Sequence, residues 1–302
     1  AGTGEVVREG SGLGMLVVKE PAEIAQRMAV SERARTDIIQ TAAIVPAMEQ
    51  RIDNGRDVRR MVLSYGNAEL PPDDLNGAGQ TADGRRIEIR DARGLKPEPI
   101  DPDASRYLAP EPLIESDAPE IVAEAEAAVR GASTPREKAE RLTRYVNALL
   151  EKKPTVSIPS AREVLRTKIG DCNEHTALYV AMARASGLPA RVAVGLVYLH
   201  GAFFYHAWPE VYLTEGGGGL WLPVDPTLNQ FPADATHLRI ARGGLDKQTV
   251  VLPLIGQLRL AVTELELAPG AIPILVGQPA SEATPVSIAM PVRRDCGCWS
   301  EK

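Results

Sequence analysis

The sequence predicts an α+β fold: helices packed on an antiparallel sheet, preceded by a small β-rich N-terminal region. Three observations lead there. Residues 118–152 carry helix-start signals followed by apolar residues at three-to-four spacing. Residues 190–199, 203–213 and 220–225 are rich in valine and aromatics and are joined by glycine-rich turns, the pattern of an antiparallel meander. An apolar fraction of 44% and a charged fraction of 25% over 302 residues are those of a globular chain long enough for one large or two ordinary domains.

Taken in order, residues 5–20 contain valine- and glycine-rich pieces that read as one or two strands, and 21–31 read as a short helix. Residues 38–48 are apolar, with Pro46 interrupting them. Residues 58–64 and 86–89 read as strands, with Ala82-Asp83-Gly84 a turn before the second. Residues 1–93 are thus a β-rich accessory region. Pro97, Pro99, Pro102, Pro110 and Pro112 lie among acidic residues and make 94–112 a linker by composition. The alanine- and glutamate-rich stretch 118–130 predicts a helix. Thr134-Pro135-Arg136-Glu137 is a capping box with proline at the first helical position. It opens a helix to about residue 152, with Ala139, Leu142, Tyr145, Val146 and Leu149 on one face. Ser160-Ala161-Arg162-Glu163 is a second capping box before a short helix. Asp171 is an N-cap for a helix in which Ala177, Leu178, Ala181, Met182 and Ala185 recur at helical spacing, stopping at Gly187 before Pro189. After the meander, 238–241 and 258–267 read as further strands, so the core spans 113–267. A tail rich in proline and glycine follows at 268–302. There is no internal repeat.

The chemistry centres on Cys172, at the start of that helix. A thiol attacks as a thiolate, and a helix start or an imidazolium partner lowers a thiol pKa. A lone free cysteine is more often a buried structural thiol. A histidine in an aromatic strand, such as His206, is more often a satisfied structural residue, and an aspartate before proline, such as Asp225, is usually a turn former. Together, each on its own element, Cys172, His206 and Asp225 have the residue types of a nucleophile, its base and the base's orienter.

Gly170-Asp171-Cys172-Asn173-Glu174-His175, His206-Ala207-Trp208-Pro209-Glu210-Val211 and Trp221-Leu222-Pro223-Val224-Asp225-Pro226-Thr227 resemble the three motifs of the transglutaminase-like superfamily, in its bacterial branch. The resemblance runs from about residue 108 to 245. It implies a papain-like α+β core in which Cys172 is the nucleophile, His206 the general base and acid, and Asp225 the orienter. It implies acyl transfer through a thioester on Cys172. Water resolves the thioester in a cysteine peptidase or amidase, and an amine acceptor resolves it in a transglutaminase. The Cys172 backbone N–H is one oxyanion donor. Asn173, Tyr205 and Trp208 are the candidates for the second donor or for substrate contact, with Tyr205 and Trp208 expected to wall a groove. The alternative reading is a catalytically silent binding or scaffold module on the same fold.

The substrate implied is a protein or peptide. A net charge of −6 gives no basic footprint for nucleic acid, and no apolar run reaches membrane-span length. No cofactor is expected. Cys172, His175 and His206 can be assembled as three metal ligands, but the acyl-transfer reading also accounts for Asp225, so no metal is expected. His200 and His237 read as ordinary surface or loop residues. Cys296 and Cys298 are too close for an unstrained disulfide and read as incidental thiols of a solvated tail. Ala1 reads as a processed or a cloned end, and the frequent export of such relatives favours a periplasmic or secreted setting.

Overall fold

The computed structural model describes residues 43–153 and 160–271, with the backbone of 8–10, 16–18 and 274–275. Strands β1 (Arg8–Gly10) and β2 (Leu16–Val18) pair antiparallel, as the reading of 5–20 anticipates. The helix expected at 21–31 and the Cys296/Cys298 tail lie outside the described residues. After the short β3 (Gln50–Arg51), strands β4 (Val58–Gly66), β5 (Gln80–Asp83) and β6 (Arg86–Arg90) build the N-terminal sheet. Asp83 pairs with Arg86 across the turn at Gly84.

The helical layer follows: α1 (Pro119–Ala128), α2 (Pro135–Leu149), the two-residue strand β7 (Glu151–Lys152), α3 (Ala161–Thr167), the two-residue strand β8 (Ile169–Gly170) and α4 (Cys172–Ala185). Thr134 caps α2 by accepting from the Glu137 N–H at 3.1 Å. The second predicted capping box does not form. Ser160 makes no cap bond because its hydroxyl donates to Glu115 at 2.5 Å. Helix α4 is buried continuously from Glu174 to Arg184, so it is a central helix rather than an amphipathic surface one. It packs against α1, α2, α3, β9 (Ala190–Leu199) and β10 (Ala202–Glu215). Each large apolar side chain sealed there, such as Leu178 or Met182, contributes about 1.5–3 kcal/mol relative to exposure.

The core sheet is antiparallel, in the order β11 (Gly218–Pro223), β10, β9, β12 (His237–Gly243). Side chains alternate along β10. Ala207, Val211 and Leu213 join the core shared with α4, while His206, Trp208 and Glu210 point to the other face. Gly195 sits opposite His206 on β9, and a Cβ there would lie 2.0 Å from the Leu238 carbonyl oxygen. Only glycine lets β12 close onto β9 at this point.

Strand β13 (Arg259–Leu267) neither extends the core sheet nor stands apart. It pairs antiparallel with β4, completing the N-terminal sheet in the order β13, β4, β6, β5, and β14 (Ile274–Leu275) pairs with β3. The boundary drawn at residue 93 therefore divides one sheet, with β4, β5 and β6 on one side of it and β13 on the other. It also divides one hydrophobic cluster, in which Val58, Met61 and Leu63 pack with Tyr198, Phe203, Leu238 and Ile240. The proline-rich stretch 94–112 is a bonded strap across the sheet. Glu98 pairs with Gly219, the Asp101 N–H donates to the Tyr212 hydroxyl at 2.8 Å, and the Trp221 indole N–H donates to Asp101 at 2.9 Å.

Candidate active site

The site begins at the N-terminus of α4. Asp171 accepts from the Asn173 N–H at 3.0 Å, and Glu174 accepts from the Asp171 N–H at 2.9 Å, a reciprocal capping box. A Cβ on Gly170 would fall 2.2 Å from the Glu174 Cβ, so glycine is needed for the glutamate to fold back. Cys172 is the first helical residue and keeps part of its surface exposed.

Strand β11 stops at Pro223, opposite Glu210, and the Val224 N–H donates to the Pro209 carbonyl at 2.9 Å. Beyond that point the edge of β10 is open. The Cys172 sulfur lies there, against the Ala207 backbone N–H, one residue from His206. The Asn173 side-chain oxygen is 3.9 Å from the sulfur.

A lowered thiol pKa was expected from the helix start, and the structure gives the opposite. Burial around the sulfur pushes the Cys172 thiol far up, and the Asp171 carboxylate adds to it, against a smaller opposing effect of the Ala207 N–H. The same acidic residues that cap the helix offset its dipole at the sulfur. Burial and the neighbouring carboxylates thus favour the thiol over the thiolate.

His206 is buried, and its Nε2 lies 2.7 Å from Asp225 Oδ2. That leaves the Nδ1 edge for other work. Asp225 has no exposed surface. Its Oδ1 accepts from the Leu228 N–H at 2.8 Å, and its backbone exchanges hydrogen bonds with Gln230 at 2.9 and 2.8 Å. It is therefore both the turn former that its Asp-Pro context suggests and the partner of His206. Burial alone would raise its pKa; the charges and hydrogen bonds of His206 and His237 outweigh that and hold the carboxyl well below the usual range.

His237 is not the surface or loop residue that the sequence suggests: it is buried at the start of β12, with Nε2 3.1 Å from Asp225 Oδ2 and Nδ1 3.1 Å from the Asp234 carbonyl and 3.2 Å from Asp234 Oδ1. Burial lowers its pKa, but the two aspartates more than reverse this and push it up to about 9. The one available signal in the sequence is Asp234 three residues before a histidine that opens a strand.

Trp208 is 1% exposed and presents no indole face to a groove. It stacks on His206, ring centroids 6.0 Å apart, and meets His237 edge-on at 5.1 Å. Tyr205 is half-buried, and its hydroxyl is buried without a hydrogen-bond partner among the described residues; burial pushes the phenol up to about 12. Asn173 stays half-exposed beside the sulfur. His175 is buried within α4, with Nδ1 2.6 Å from the Asp171 carbonyl, and burial lowers its pKa.

Among the described residues, the set that brings possible metal-binding atoms together is His206, Asp225 and His237, within 4.8 Å of one another, and not Cys172, His175 and His206. Both imidazoles already direct Nε2 at one oxygen of Asp225, and His237 has oxygen atoms at both ring nitrogens. The separations of 2.7 and 3.1 Å are those of hydrogen bonds.

Residues 123–226 match the family model of the Transglutaminase-like superfamily. The matched segment contains Cys172, His206 and Asp225 and stops short of His237. No curated protein matches the chain by sequence. Among solved structures, a candidate cysteine protease from Cytophaga hutchinsonii is 18% identical, with 75% of this chain and 89% of that one covered and a TM-score of 0.42. The periplasmic domain of TgpA from Pseudomonas aeruginosa is 18% identical, with 64% and 91% covered and a TM-score of 0.36. A candidate protease from Parabacteroides distasonis is 15% identical, with 63% and 47% covered and a TM-score of 0.31. No described helix is long and apolar enough to cross a membrane.

Proposed function

We propose that this protein is a cysteine-dependent acyl-transfer enzyme acting on a protein or peptide carboxamide. The observation that carries this reading is the 2.7 Å contact of His206 Nε2 with buried Asp225, beside a helix-start cysteine whose sulfur lies next to the Ala207 N–H. With Nε2 turned to Asp225, Nδ1 of His206 takes the Cys172 proton as the sulfur attacks the carbonyl carbon. The tetrahedral oxyanion is met by the Cys172 backbone N–H, with Asn173 the candidate second donor. Nδ1 then returns the proton to the leaving amine, and the C–N bond breaks to leave a thioester on Cys172. Water releases the acyl group in hydrolysis; an amine releases it in transamidation.

The raised thiol pKa favours a second reading, a silent binding module in which Cys172 is inert. Alkylation by iodoacetamide, with mass spectrometry locating the label, separates the two. The enzyme reading expects labelling of Cys172 that falls sharply in His206→Ala; equal rates in both proteins would support the silent module. A peptide and amine library read by mass spectrometry then distinguishes hydrolysis from transfer.

A further inference from the structure

Asp225 serves two histidines through one oxygen, and the acyl-transfer reading uses only one of them. Oδ2 is 2.7 Å from His206 Nε2 and 3.1 Å from His237 Nε2, while Oδ1 is occupied by the Leu228 N–H. Among the described residues, every atom facing a ring nitrogen of His237 within hydrogen-bond distance is an oxygen acceptor: Asp225 Oδ2 on one side, the Asp234 carbonyl and carboxylate on the other. Satisfying both nitrogens requires a proton on each, which makes the ring an imidazolium.

Asp234 is itself fixed. Its Oδ1 accepts from the Thr236 N–H at 3.1 Å and the Thr236 hydroxyl at 2.6 Å, and its Oδ2 accepts from the Gln230 amide at 2.8 Å. Trp208 lies against the rings of both histidines.

We infer that His237 is a positioning residue of the active site: it clamps Asp225 against His206 and, as a standing cation, tempers the basicity of His206. This rests on the acyl-transfer reading and deepens it. The residue lies outside the segment that matches the family model.

The physical consequence is a competition. When His206 takes the Cys172 proton, it becomes a second cation on an oxygen that already faces one. It holds that proton less tightly than a histidine with an aspartate to itself, and so returns it more readily to the leaving amine. The other charged groups around the pair act on it unevenly. Asp171 and Glu174, at the start of α4, act on Cys172, and burial there lowers the pKa of His175. Arg56 and Arg93 act on Asp234 from the N-terminal region. Arg239, two residues along β12, is paired with Glu210.

The test is the pH profile of Cys172 alkylation by iodoacetamide across about pH 5–10, in the full chain and in His237→Gln, Asp234→Asn and His206→Ala, with melting curves as folding controls. Removing the His237 cation makes His206 more basic, so the acid limb should move to higher pH by about one unit in His237→Gln. It should move the same way by less in Asp234→Asn, which weakens the clamp while keeping its shape. A merely structural role would lower the melting temperature without moving the limb. Superimposed limbs in a wild type that still depends on His206 would overturn the inference alone. If His206→Ala alkylates like the wild type, the acyl-transfer reading itself fails. Should His237→Gln not fold, Asp234→Asn still reads the shift. Ring ¹⁵N spectra of the wild type at neutral pH should also show both His237 nitrogens protonated; a neutral ring would overturn the inference.

Discussion

One face of the core sheet carries two buried ionic clusters built on the same plan. In one, Glu210 of β10 lies between Arg191 of β9 and Arg239 of β12. Arg191 donates to Oε2 at 2.8 Å through Nε and lies 2.6 Å away through its terminal nitrogen, and Arg239 reaches Oε1 at 2.5 Å. In the other, Asp225 lies between His206 and His237. Each has one carboxylate and two bases, with almost no exposed surface. The difference is in what can leave. Guanidiniums keep their protons in proteins, and each here has a carboxylate oxygen to itself. The histidines share one oxygen, and an imidazole gains or loses its proton near neutral pH. The arrangement fixes geometry in both; the residue type decides which cluster can move a proton.

The largest effects should come from the reactive cluster: Cys172→Ala should abolish turnover without unfolding the half-exposed helix start, and Asp225→Asn should lower turnover by about 10⁴-fold by upsetting the imidazole tautomer. Product formation followed by mass spectrometry checks both, and full activity in either would undo the triad assignment. Next, Glu210→Ala should cost about 3–5 kcal/mol in denaturant melts, because two guanidiniums lose their buried partner. It should leave the pH profile of Cys172 alkylation in place; a moved profile would mean that the two clusters are coupled.

Stability against pH separates them further. His237 is raised from 6.5 to about 9, so its contribution is full below about pH 6.5 and is lost as pH rises toward 9. That loss is on the order of 3 kcal/mol. Although burial alone would raise Glu210, the arginines lower it from 4.5 to about 2, so its contribution is present above about pH 4.5 and is lost as pH falls toward 2. Melting temperatures should therefore fall in mild alkali through one cluster and in acid through the other, and His237→Gln should flatten the alkaline limb. The smallest effect, about 1–3 kcal/mol, is expected for Gly195→Ala, which wedges β12 away from β9. If that variant melts like the wild type, the close approach of the two strands is not what seats His237.

Much of the core was legible in the sequence because its signals are local. The Asp171 cap, the helix spacing after Cys172 and the valine-rich meander each sit within a few residues of what they specify. What was not legible depends on distant partners. The alternation in 258–267 marks a strand but does not say which sheet receives it, and β13 crosses to β4. The prolines of 94–112 hide the bonds from Tyr212 and Trp221 to Asp101. His237, a lone histidine at a strand start, has no periodic signal, and its contact with Asp225 forms only on folding. The Cys172 thiol is pushed up because burial and the capping carboxylates act together, and burial cannot be read from a motif.

The return of β13 to the N-terminal sheet has a practical consequence. The matched segment 123–226 cannot be lifted out as a self-sufficient unit. A polypeptide trimmed to it would lack β12, and with it His237 and the far edge of the core sheet. It would also bare the apolar patch around Tyr198 and Phe203 that Met61 and Leu63 now cover. Such a fragment would exchange a closed interior for an adhesive one. The two ends of the described chain work as a clasp, and the proposed chemistry would depend on its staying shut.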